Sequence, residues 1–388
     1  MAAGLNIGGA TVTNSVSLAA ATGFDYGWVF LFATFAIYVA TLACVKLSLV
    51  TEKNPIKLIR DHIHPVAGYA VGISILLVNL VFHTIQVVLG GMVLNTLIPV
   101  NQGFWQVGVI VMAALFALVP AKAATDIIAK TLQWMVYILS ASFLLSLFVV
   151  PVNWGGFFRG ILPLTLPTSK QSVLLFTAVL GSALAINVPT IQAFASRSKG
   201  WNKNQLQLFG FETAVTNIFL LFVQLAVLVV VASTLFPARI VPKNAVEAAL
   251  ALKPLAGGFS TVLFCIGLFG AVLSTMVAQT AVAAYTFLDT VGWDPQPGSA
   301  RFKIVQACLL LVALCVPLFG LNPFTWTAWG GAFNSTFMPI GIAAWWALLN
   351  RRELMGEHKA DTRMNIAMAV TFAIALAGAV RFWYVTLS

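Results

Sequence analysis

Ala178-Val-Leu-Gly-Ser-Ala-Leu-Ala-Ile-Asn-Val-Pro-Thr-Ile-Gln-Ala-Phe-Ala-Ser-Arg197 decides the fold. The stretch lies in an apolar segment long enough to cross a bilayer, which takes about 20 residues. Its middle, from Gly181 to Gln192, nevertheless holds glycine, proline and small polar side chains. Pro189 removes a backbone donor and Gly181 offers no side chain to pack, so the spacing predicts an interrupted membrane helix. Loose backbone persists in lipid only where protein or a water-filled cavity satisfies it. The first apolar segment, Ile7-Gly-Gly-Ala-Thr-Val-Thr-Asn-Ser15, has the same character. Two interrupted segments in corresponding halves of a chain point to a transporter site between inverted repeats. The simpler alternative is a pair of ordinary Gly- and Pro-bearing membrane helices.

Composition fixes the class. Of the 388 residues, 60% are hydrophobic and 8% are charged, and the mean hydropathy is +0.95. Soluble domains carry about 25% charged residues, so this is an all-α polytopic membrane protein whose first partner is the lipid bilayer. The net charge of +10 is confined to short loops, which argues against a nucleic-acid partner. Cys44, Cys265, Cys308 and Cys315 sit in apolar runs without metal spacing and read as small buried hydrophobes. No Lys or Arg precedes the first apolar run, so no cleavable signal peptide is expected.

Eleven apolar runs have spanning character, at roughly 5–22, 27–49, 66–97, 104–120, 131–151, 173–196, 207–236, 257–287, 302–319, 326–349 and 365–386. One alternating set of loops carries fourteen Lys and Arg, from Lys53 and Arg60 through Lys122, Arg197 and Lys199 to Arg351, Arg352 and Arg363. The other set carries five: Arg159, Lys170, Arg239, Lys243 and Lys253. The positive-inside rule places the first set and the N-terminus in the cytoplasm, with Ser388 outside. The expected location is a bacterial inner or plasma membrane. Prolines 151, 163, 167 and 242 argue against long helices in the outer loops 152–172 and 238–256, and Trp154, Phe157 and Phe158 suit an interfacial belt.

Three further stretches carry a resemblance. Asn350-Arg-Arg-Glu-Leu-Met-Gly-Glu357, Leu49-Val-Thr-Glu-Lys-Asn-Pro-Ile-Lys-Leu-Ile-Arg60 and Leu268-Phe-Gly-Ala-Val-Leu-Ser-Thr275 resemble, in that family's order and spacing, the Nramp divalent metal-ion transporters. The resemblance implies a leucine-transporter-type fold, with helices 1–5 and 6–10 as inverted repeats and helices 1 and 6 broken. It divides the chain into a first repeat at 1–151, an outer loop at 152–172, a second repeat at 173–350, and a cytoplasmic loop with helix 11 at 351–388.

The departures from that family matter more. Its first helix breaks at Asp-Pro-Gly-Asn; the match here is Gly8-Gly-Ala-Thr11, or Thr11-Val-Thr-Asn14 in a shifted register. The first acidic residue of the chain is Asp25, beyond either. Its sixth helix breaks at Met-Pro-His, where this chain has Ala185-Ile-Asn187, with Pro189 two residues on. A family glutamine on helix ten falls near Gly331, with Asn334 a turn away. The expected substrate site therefore draws on Gly8, Thr11, Thr13, Asn14, Ser15, Ser182, Ala185, Asn187, Thr190, Gln192 and Asn334. These supply hydroxyls, amides and backbone groups, and no resident metal or cofactor is expected. Manganese and iron sites normally include a carboxylate to offset charge.

The resemblance also implies a proton route over acidic residues on helix three, a helix-six histidine and helix-nine arginines. The helix-three stretch here reads Val81-Phe-His-Thr-Ile-Gln86, so His83 and Gln86 replace the acids, and Gln306 falls near an arginine position. Histidine titrates near neutral pH in water, so His83 is a proton-carrier candidate; the alternative is a helix-packing hydrogen bond. Glu212 and Asp289 sit near helix ends and read as anchors. The chain is expected to be a secondary transporter with an atypical, carboxylate-free site for a hydrated ion or a small polar solute. The rival reading is a membrane receptor or scaffold that moves nothing. No constellation supports an enzyme.

Overall fold

The structure is a computed structural model describing residues 8–98, 125–162, 164–293, 299–315 and 322–388. The expected span at 104–120, Ile7, Lys122 and Pro163 lie outside the described residues, and the span at 302–319 is described only to Cys315. Every regular element among the described residues is helical. The chain runs through α1 (Gly9–Thr22), α2 (Trp28–Thr51), α3 (Pro55–His62), α4 (Pro65–Leu97), α5 (Thr125–Ser146) and the short α6 (Trp154–Ile161). It continues through α7 (Lys170–Ala183), α8 (Asn187–Ser198), α9 (Leu206–Thr234) and α10 (Ser260–Thr290). The final helices are α11 (Ala300–Cys315), α12 (Pro323–Asn334), α13 (Met338–Leu349) and α14 (Thr362–Leu387). Counting α7–α8 and α12–α13 as single crossings, seven segments among the described residues are long and apolar enough to span a membrane.

Local signals set the helix ends. Proline opens α3, α4 and α12, where its missing N–H is one the helix would leave unpaired anyway. Ser169, Asn322 and Asp361 cap α7, α12 and α14 by accepting from backbone amides of the first turn. In the outer loop, Asn153 caps α6, one short helix being all the flanking prolines leave room for. Arg381 Nη2 donates to Pro167 O at 2.6 Å and ties that loop to α14. Trp154 and Phe158 are exposed there, as an interfacial belt requires.

Packing relies on small residues, because a lipid solvent gives no hydrophobic drive between helices. A Cβ placed on Gly181 would collide with Gly331 O, so α7 and α12 approach backbone to backbone. Gly181 thus serves a helix contact and lies inside α7, not in the interruption. The outer face of α9 shows Phe211, Val215, Ile218 and Phe222 exposed, a surface suited to acyl chains. Cys44 and Cys265 are buried as expected, but Cys308 is exposed on α11.

Among the described residues two crossings are interrupted. The first lies between Ala183 and Asn187, inside the stretch read from sequence. The second separates α12 from α13 at Ser335–Phe337, with Pro339 in the first turn of α13. Sequence reading took 326–349 as one uninterrupted run. The break falls at the polar Asn334-Ser-Thr336 step, which its apolar flanks mask, while Pro339 opens α13 where its missing donor costs nothing.

Candidate functional site

The interruption after Ala183 organises the site. Leu184 leaves helical geometry while its N–H still donates to Leu180 O at 2.7 Å, closing the end of α7. Three residues later α8 restarts at Asn187, with Pro189 in its first turn, where no intrahelical donor is lost. Proline therefore begins the second half of the crossing. Asn187 Nδ2 donates to Asn79 Oδ1 on α4 at 2.9 Å. Both residues are buried, and Asn187 Oδ1 and Asn79 Nδ2 have no partner.

Gly8 is extended and α1 begins at Gly9, so the chain enters its first helix beside the break. Any side chain at Gly8 would press on Thr275 Oγ1, at 3.1 Å from a Cβ; at Gly9 it would meet Gln86 Oε1 at 2.8 Å. These glycines let the first amides of α1 approach Gln86 and Thr275. The helix is continuous from Gly9, so the shifted register does not mark an interruption. Thr13 and Ser15 instead return their hydroxyls to Gly9 O and Thr11 O, at 2.8 and 2.7 Å. Asn14 also leaves the expected set: its amide donates to Ala178 O at 3.3 Å and Thr327 O at 3.4 Å, bracing α1 against α7 and α12.

Between these elements lies a small cavity of about 40 Å³, room for a few water-sized groups. Of the expected substrate set, Gly8, Thr11, Ser182, Ala185 and Asn187 line it; Gln86, expected on a proton route, lines it too, together with Asn217 on α9 and Thr275 and Gln279 on α10. Ile37, Phe82 and Leu220 supply apolar wall. Both amide atoms of Gln86, together with Gln279 Oε1, Asn187 Oδ1 and Asn217 Oδ1, are buried without partners. Unpartnered buried amides cost stability, and their grouping around one cavity makes it the candidate site.

Other expected residues lie elsewhere. Thr190 Oγ1 donates to Ile186 O at 3.2 Å within α8. Gln192 lines a neighbouring cavity. Asn334 is fully buried at the end of α12 with both amide atoms unpartnered, but does not line the site cavity. His83 is buried on α4 and absent from both cavity walls, whereas Gln86, a turn on, is in the site. Sequence reading missed Asn79, Asn217 and Gln279. Each is an isolated amide in an apolar helix, a costly placement that was the available signal.

The cavity's chemistry is neutral throughout. Among the described residues its wall carries hydroxyls and amides but no carboxylate, imidazole or sulfur. No group of three His, Cys, Asp or Glu that could hold a metal occurs among the described residues. Charge enters only as partial charge: α1 and α8 direct their positive N-terminal ends at the cavity, and α7 its negative C-terminal end. Such a wall can orient a small polar solute by hydrogen bonds, or hold coordinated water.

Comparison with known proteins agrees with this architecture. The chain resembles a solved point variant of the Eremococcus coleocola manganese transporter, with TM-score 0.76 and 12% identity over 98% of this chain and 84% of that one. A complex of that transporter with an aromatic bis-isothiourea substituted compound gives TM-score 0.75 at 12% identity, over 97% and 84% of the two chains. At that identity the likeness establishes the shared fold, of the leucine-transporter type. No curated protein matches the sequence. The model of the natural resistance-associated macrophage protein-like family matches residues 1–384, and the chain therefore belongs to the Nramp family of membrane transporters.

Proposed function

We propose that this Nramp-family protein is a secondary transporter that recognises its substrate through a neutral, amide-lined site at the α7–α8 break, and that it carries neither Mn²⁺ nor Fe²⁺ as a directly ligated ion. The observation behind this reading is the donor set: Gln86, Asn187, Asn217, Gln279, Thr11 and Thr275 line the cavity without a carboxylate, imidazole or sulfur. Neutral oxygens can touch a divalent ion, yet they leave its two charges uncompensated in a low-dielectric cavity. Losing the charged ligands weakens a transition-metal site by several kcal/mol, on the order of 10²-fold or more in affinity. A small polar solute meets the unpartnered amides without that cost. A second reading, Mg²⁺ carried with its water shell, draws on the same groups, because Gln279 Oε1, Asn187 Oδ1 and Asn217 Oδ1 are free to accept from coordinated waters.

The repeats of this reading run over 1–151 and 173–350, and Lys/Arg placement sets the N-terminus inside and the C-terminus outside. With Gln86 in place of an acid, transport is not coupled to protons by the family's route, and the protein performs no bond chemistry. Titration calorimetry with Mn²⁺ and uptake into proteoliposomes of Mn²⁺, Mg²⁺, small amides and small carboxylates test the proposal. The expected result is uptake of a polar solute or of Mg²⁺ that Asn187→Ala impairs, with no saturable micromolar Mn²⁺ isotherm. A micromolar Mn²⁺ isotherm abolished by Asn187→Ala would overturn it.

A further inference from the structure

A second cavity adjoins the first. It is lined by two helical stripes: Val188, Gln192, Ala195, Ser196 and Lys199 around α8, and Phe209, Glu212, Thr213, Thr216 and Asn217 on α9. Their spacing of three and four residues makes each stripe one face of its helix. Thr41 of α2 and Trp201, in the loop between α8 and α9, complete the wall. The two cavities share two residues, Val188 and Asn217.

Asn217 is 4% exposed; its Nδ2 donates to Thr213 O at 2.8 Å and its Oδ1 has no partner. A half-satisfied amide in a septum between two polar cavities is costly unless something passing between them completes its bonding. The wall beyond it is also polar, with Gln192, Ser196, Thr213, Thr216 and Thr41 following one another toward Lys199. At the far end the Lys199 ammonium lies over the Trp201 ring, 4.5 Å from its centre. Glu212, which sequence reading assigned to anchoring, is the single carboxylate on either wall.

We infer that the groove between α8 and α9 is the passage by which the solute leaves the site, with Asn217 as the selectivity residue at its narrowest point and Glu212 as a charged station beyond it. The inference rests on the reading that the cavity at the break is the substrate site. Of the two residues that the cavities share, Val188 is apolar, so a solute moving from the Asn187 cavity into the groove has Asn217 as its hydrogen-bonding partner there. Asn217 favours species that carry a donor for its Oδ1: amides, alcohols, ammonium groups or metal-bound water. The passage opens at the face bearing Lys199 and Trp201.

Thiol labelling tests the passage without knowing the solute, so its failure and the failure of the substrate reading are separate results. In a background with Cys44, Cys265, Cys308 and Cys315 replaced by serine, single variants Ser182→Cys, in the site, and Ala195→Cys, in the groove, are exposed to 2-aminoethyl methanethiosulfonate. The reagent is added at the face where Lys199→Cys is labelled, with a thiol scavenger trapped on the opposite side. Both cysteines are expected to react. Adding Asn217→Trp is expected to slow Ser182→Cys at least tenfold while Ala195→Cys keeps its rate within twofold, which also reports an intact fold. If Ala195→Cys loses reactivity, Asn217→Leu, which keeps the branched shape of asparagine without its polar atoms, replaces the tryptophan and must slow Ser182→Cys at least threefold. Failure of Ser182→Cys to react from this face, or a rate indifferent to both Asn217 substitutions, overturns the inference.

Discussion

The Asn79–Asn187 bond joins the restart of the broken crossing to α4, and its removal tests whether it holds the site together. Asn187→Ala deletes the donor to Asn79 Oδ1, a bond of 2.9 Å between buried side chains. Asn79 Nδ2 already lacks a partner, so the substitution leaves that whole side-chain amide dry. A buried polar group without a partner costs about 1–3 kcal/mol. Bonds between membrane helices average nearer ~0.6 kcal/mol, because an unfolded chain in lipid finds other partners. Asn79 makes no other side-chain hydrogen bond among the described residues, so the larger figure governs and each single alanine should cost about 1–2 kcal/mol. In Asn79→Ala/Asn187→Ala neither residue strands the other, and the loss should resemble that of one single variant, giving a coupling of about 1 kcal/mol. Reversible unfolding in mixed micelles across the four-protein cycle measures this. Losses that add to within about 0.3 kcal/mol would show that the two amides do not depend on each other and would refute the reasoning.

Three other substitutions follow from the same geometry. Gly181→Val should destabilise the protein by about 3 kcal/mol or more, since even a Cβ at that position meets the Gly331 carbonyl; thermal unfolding in detergent reads the shift, and an unchanged midpoint would deny the close α7–α12 contact. Pro189→Ala should change stability by less than about 1 kcal/mol, because the proline sits in the first turn of α8, and a larger loss by the same measurement would mean that it shapes the break. Gln279→Glu should give the cavity a charged ligand: at an effective dielectric near 20, about 8 kcal/mol of attraction for a divalent ion at 4 Å, less several for burying the carboxylate, leaves on the order of 10²-fold tighter Mn²⁺ binding by calorimetry. Any pH dependence of uptake should trace to His83, and proton flux into liposomes that survives His83→Gln would reveal a route through other residues.

The class and the interrupted crossing were readable because both are written in local chemistry. A run of apolar residues needs lipid, and the interruption falls inside the stretch read for it, although Gly181 and Pro189, on which that reading leaned, lie within α7 and in the first turn of α8. What local chemistry cannot supply is the face each polar residue presents. Asn14 and Asn187 both stand near the start of a helix at the site, and sequence gave no reason to separate them. Packing does: each donates through its Nδ2 and keeps an unpartnered Oδ1, but Asn14 braces α1 against Ala178 and Thr327 away from the cavity, whereas Asn187 lines it. Gln279 and Asn217 lie 92 and 30 residues beyond Asn187 and enter the site only because α10 and α9 close around the break. That closure bears on what the protein carries. One lost carboxylate in a metal site could be a weakened remnant. Here the wall gathers amides from α4, α8, α9 and α10, four separate helices. Each is buried at a cost that a site without a ligand would have no means to offset. On the proposed reading, neutral amides converging from four helices form the recognition surface, and they favour a partner that forms hydrogen bonds over one that demands charge.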